Sequence, residues 1–154
     1  MPSQRREIHD KLIDILKSIS IANGYQQTIV SVTKRMKEIE HLSSFPELSV
    51  IEGEQVLQCV SEEENLYEVT SSFAAIGYIK TGHDSNDQGL LSSASDDLIE
   101  DIKEALLANT GDLIATTSAK SLRLSSDEPI LDYQNNWGYV TVYFTVTYYF
   151  EGTA

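Results

Sequence analysis

Every second residue near the end of the chain is apolar. In GYVTVYFTVTYYFEG, residues 138–152, the even positions are Val140, Val142, Phe144, Val146, Tyr148 and Phe150. The odd positions are Thr141, Tyr143, Thr145, Thr147 and Tyr149. A period of two in β-branched and aromatic residues predicts a strand whose even face lies in the core. The odd face should meet water, yet it carries no charge in an otherwise charge-rich chain.

At the other end, residues 7–22 repeat with the helical period. Ile8, Leu12, Ile15, Leu16 and Ile19 form one stripe, and Asn23 and Gly24 mark a left-handed helix end. YQQTIVSVTKR then reads as a strand through its Val30/Val32 alternation, and residues 48–51 as a short strand stopped by a turn at Glu52 and Gly53. Pro46 breaks any helix before it. SEEEN, residues 61–65, reads as a solvated acidic turn, and LYEVTSSFAAIGYIK as a long strand with a bulge or close approach at Gly77.

TGHDSNDQGLLSSAS, residues 81–95, is the most polar and Gly/Ser-rich stretch and reads as a flexible loop. Ser95 should cap the next helix, with Asp96 and Asp97 at its positive end. Leu98, Ile99, Ile102, Ala105 and Leu106 supply its buried stripe, and Asn109 and Gly111 its end. LIATTSAKSLRLSSDEPI completes the series as a strand before the closing one. The order helix, strands, helix, strands predicts a single α+β domain over 1–154, a mostly antiparallel mixed sheet packed against two main helices.

Composition narrows the function. The net charge is −13, from 24 acidic against 11 basic residues, which opposes a direct grip on nucleic acid. It suits a surface that avoids DNA, or one that meets a basic protein. No stretch approaches the ~18 apolar residues that would span a bilayer. The N-terminus lacks a secretory pattern, and the single Cys59 rules out an internal disulfide framework and suits a reducing compartment. Synthesis in the cytoplasm is expected.

Candidate chemistry is sparse. His9, His41 and His83 lack partners at metal-ligand spacing, and His9 is placed on the polar side of the first helix. Cys59, in VLQCV, reads as a small buried thiol. Asp84, Asn86, Gln88 and Gly89 echo the start of a calcium loop, but Ser95 stands where the bidentate Glu belongs. No glycine-rich phosphate loop or nucleophile elbow is present. Neither a catalytic residue, a cofactor nor a metal is expected, and the expectation is a non-enzymatic protein. Tyr and Thr without charge fit a contact surface instead. Thr141, Tyr143, Thr145, Thr147 and Tyr149 are therefore the candidate interface. His83, Asp84, Asn86 and Asp87 are the candidate docking loop.

The layout resembles that of the tail terminator (tail-completion) proteins of tailed bacteriophages. The matching pieces are the opening helix up to GYQQTIVSV, the segment FPELSVIEGEQ and the strand YEVTSSFAAIGYIKTG. The helix ASDDLIEDIKEALLA and the last strand YVTVYFTVTYYF follow. The resemblance implies a structural virion protein of the tail and neck, made in the host cytoplasm. Such a protein forms a homo-oligomeric ring, usually a hexamer, on the last ring of the tail tube protein. It stops polymerisation and joins the neck or connector, while DNA passes through the lumen without specific binding. No membrane or cofactor is implied. The alternative is a small acidic binding or inhibitor protein, of the immunity type, that covers a basic partner.

Overall fold

The computed structural model describes residues 3–81 and 88–152. Helix α1 is Gln4–Lys17, and a 3-10 turn at Ile21–Asn23 ends on Gly24 at φ +93°. Strand β1 is Ser31–Thr33, β2 Glu47–Ser61 and β3 Leu66–Lys80. Helices α2, Gln88–Ala108, and α3, Thr110–Thr116, precede strands β4, Ala119–Asp132, and β5, Trp137–Glu151. The five strands form one mixed sheet in the order β1-β2-β3-β5-β4, in which only β1 and β2 run parallel. This is the α+β domain expected from the element order.

The sheet is held at its centre by β3 and β5, which pair without a break from Leu66 opposite Glu151 to Lys80 opposite Trp137. Alternation puts Val142, Phe144 and Val146 on the same side as Val69, Phe73 and Ala75, and all six are buried. The rings of Phe73 and Phe144 stack at 5.6 Å. The helices cover this side through Ile8, Leu12 and Leu16 of α1, Leu98 and Ile102 of α2, and Leu113 of α3. Gly77 lets α2 come close: a methyl group there would lie 2.6 Å from Leu98 Cδ2 and 2.8 Å from Val140 Cγ2. Asp101 ties α2 to the segment after α1, accepting the backbone N–H groups of Gln26 at 2.9 Å and Gln27 at 2.8 Å.

Three boundaries depart from the sequence pattern. Residues 88–95 are helical rather than loop, so Ser95 is not a cap but a buried residue inside α2. Leu91 explains this, because it falls seven residues before Leu98 and extends the buried stripe back by two turns. The same helical turns exclude the twelve-residue calcium loop, whose second half would occupy them. Residues 110–116 form α3 rather than strand, since burying Leu113 outweighs the weak helix preference of Thr and Ile. The pair Glu52 and Gly53 is no turn. It lies in a bulge between Glu52 and Gln55, and β2 continues to Ser61 along the full length of β3.

Two substitutions test this packing by thermal unfolding. Phe144→Ala is expected to cost about 3–5 kcal/mol through the cavity it leaves. Gly77→Ala is expected to cost about 1–3 kcal/mol, because Leu98, Val140 and Leu48 must move aside. Wild-type stability for Gly77→Ala would show that α2 does not press on the sheet there.

Candidate interaction surface

The odd positions of β5 point away from the helices. At one end of this second face, the connection between β1 and β2 folds across the sheet. Ile39, with Leu42 and Phe45 beside it, packs on Ile76, Tyr78 and Tyr139 in a small second core. The Tyr78 hydroxyl is fixed there, accepting the Lys37 backbone N–H at 2.8 Å and donating to Ser49 Oγ at 3.2 Å. Thr141, between Ile76 of β3 and Glu128 of β4, is buried.

Tyr143 and Tyr149 are each 40% exposed, and Thr145 and Thr147 between them are half-buried. Their register partners on β3 are Ala74, Ser72, Thr70 and Glu68. Val56 of β2, opposite Thr70, and Ser121 of β4, opposite Thr147, extend the face across the sheet. The result is a broad, flat, weakly polar surface of Thr, Ser and Tyr, with charge confined to its margins at Glu68, Arg123 and Glu128. The Tyr143 hydroxyl lies 3.4 Å from Glu128 Oε1.

Of the candidate interface residues, four thus share one open face and Thr141 is buried. The docking-loop candidates His83, Asp84, Asn86 and Asp87 lie outside the described residues. Sequence reasoning took VLQCV as strand-like but missed that it continues β2 along an open edge. Beyond Ser49 β2 has a neighbour on one side only, and Val56, Leu57 and Val60 are each more than half exposed. The signal was present in QVLQCVS, seven residues with no charge and no proline. Cys59, expected to be buried, is exposed on this strand for the same reason.

His9 is also not where polarity put it. It is 3% exposed, with Nδ1 2.6 Å from Glu52 Oε1 and Nε2 2.7 Å from the Val50 carbonyl. Arg5 Nε lies 2.8 Å from the other Glu52 oxygen. With both nitrogens engaged, His9 clamps α1 to β2 at the bulge. Among the described residues no cluster of three or more His, Cys, Asp or Glu is arranged to hold a metal ion. Nor, among them, is any helix long and apolar enough to cross a membrane.

The cover over the second face has its own electrostatic anchor. Lys37 Nζ lies 2.8 Å from Glu47 Oε1, which also accepts from Ser31 Oγ. Burial alone would raise the Glu47 carboxyl, but the hydrogen bonds from Lys37 and Ser31 outweigh it and hold it below the ordinary range. Burial has the last word at Asp101, where it raises the carboxyl despite the two N–H groups it accepts.

No protein-family model matches this sequence, and no curated protein matches it significantly.

The Glu47 anchor predicts a pH dependence. A carboxyl lowered in the fold contributes stability above its unfolded value of 4.5, and that contribution is lost as pH falls through the folded value. Glu47→Gln is expected to cost about 1–2 kcal/mol at neutral pH, with the gap to wild type closing on acidification. Paired melts across pH 3–7 would check this, and a gap that widens at low pH would refute it.

Proposed function

We propose that the protein is a structural virion protein of a tailed bacteriophage, a tail terminator. In this reading copies close into a ring, a hexamer, on the end of the tail tube, stop its growth and present a docking surface to the neck or connector. The observation that carries the reading is the open face of β5. Four uncharged Tyr and Thr side chains stand there on a central strand of the sheet, on the side away from the described helices. A soluble surface of this acidity would ordinarily place Lys or Glu at such positions. Tyr supplies large, rigid contact area with a polar tip, which is what a protein interface uses.

The charge balance fits the same role. A surface with net charge −13 repels the phosphate backbone, so DNA can move past it without being held. Ring closure brings like charges together, and salt should favour it by screening them. The layout resemblance to tail terminators adds the tail tube and the connector as partners.

Light scattering with size-exclusion chromatography across protein and salt concentration tests the ring, as does electron microscopy of tail tubes incubated with the protein. A monomer under all these conditions, tubes included, would overturn the reading. A monomer that instead captures a basic protein tightly would favour the acidic inhibitor. Tyr143→Lys, at an exposed position, is expected to melt close to wild type. It should fail to assemble or to complete tails, because it places an unpaired charge in the contact.

A further inference from the structure

Two free stretches of sheet edge are complementary in charge and overlap in height. One edge is β4, which pairs with β5 alone. Its first half, residues 119–126, carries only Lys120 and Arg123 as charges. The other is the upper part of β2, residues 54–61, whose only charge is Glu54, with the acidic turn 62–64 beyond it. Among the described residues, none of Lys120, Arg123 and Glu54 has an ion-pair partner within the chain.

Register places these edges level with each other. Val56 pairs with Thr70, Thr70 with Thr147 and Thr147 with Ser121, so Val56 and Ser121 share one row and one face. Arg123 pairs with Thr145 and Thr145 with Ser72, and the β2 position in that row is the bulge holding Gly53 and Glu54. Direction is settled by topology. Each of the three steps from β2 through β3 and β5 to β4 is antiparallel, so β2 and β4 run in opposite directions. Rotating a copy about an axis along the strands therefore sets its β4 antiparallel to the β2 of its neighbour. Arg123 then comes to the height of Glu54, and Lys120 to that of Val56 and Leu57.

We infer that a second copy of this chain docks the first half of its β4 edge on the free stretch of β2 that begins at Glu54, making a head-to-tail sheet that continues from subunit to subunit. The inference rests on the ring reading above and names the contact that closes the ring. The new ladder satisfies backbone groups that each edge leaves open, and it covers Val56. A head-to-tail contact also leaves no terminal edge once the ring is closed.

Cross-linking between different single variants tests it, in a Cys59→Ser background. Val56→Cys or Gln58→Cys supplies one edge and Ser121→Cys the other, the two β2 positions allowing for a two-residue slip. Facing residues in an antiparallel ladder lie about 4.5–5.5 Å apart, within disulfide reach. Covalent dimers are expected when a β2 variant is mixed with Ser121→Cys under assembly conditions, and not from either variant alone. Lys120→Glu with Arg123→Glu should weaken association by about tenfold or more, and adding Glu54→Lys should restore part of it. A ring that forms without either mixed cross-link overturns the edge pairing and leaves the ring standing. Cross-linking of Val56→Cys with itself shows a two-fold contact through β2 and likewise overturns it. A chain that stays monomeric everywhere overturns both.

Discussion

The unbroken antiparallel pairing of β3 with β5 is the constraint on which everything else rests. Fifteen residues of each strand lie in register, from Leu66 opposite Glu151 to Lys80 opposite Trp137. Because side chains alternate, that register commits one face to Phe73, Phe144 and their neighbours, and the other to Thr, Ser and Tyr. A slip of one residue would turn both sets over at once. The helices have a single apolar face to settle on, and Gly77 is the gap that lets Leu98 reach it.

The rest of the architecture distributes polar groups around that choice. His9 and Glu52 lock α1 against β2 where the bulge turns the strand, and Asp101 holds the chain between α1 and β1 by its backbone N–H groups. Lys37 and Glu47 fasten the connection that closes off one end of the second face. Each of these contacts uses a charged group that would be costly to bury alone, and each finds a partner within a few residues of the sheet. Beyond that closed end the second face and the upper edge of β2 have no helix or strand over them among the described residues. This division, half sealed and half open, is what the proposed ring would use.

Much of the fold could be read in the residues because its signals are local. The stripe of Ile8, Leu12, Ile15, Leu16 and Ile19 is buried throughout, Leu66–Lys80 is a strand, and Val140 to Tyr148 alternate as their chemistry demands. Errors arose where a local cue was overruled at a distance. Serines and Gly89 made residues 88–95 look like a loop, but Leu91 had a core to enter. Gly53 looked like a turn, but a long partner strand absorbed it as a bulge. His9 looked solvated because polarity was judged without knowing that Val50 and Glu52 would face it.

By itself, then, the sequence determined the period of each main element, the helix and strand content, the acidic surface and the absence of charge along one side of the last strand. These follow from spacing and residue type, which need no knowledge of distant contacts. Tertiary structure alone decided which side of the sheet the helices took, how far the connection after β1 reached over the other, and that β2 outruns its neighbour. It also set Arg123 level with Glu54. Those outcomes depend on register and on competition for one core among segments far apart in the chain. Neither can be read from residues taken a few at a time.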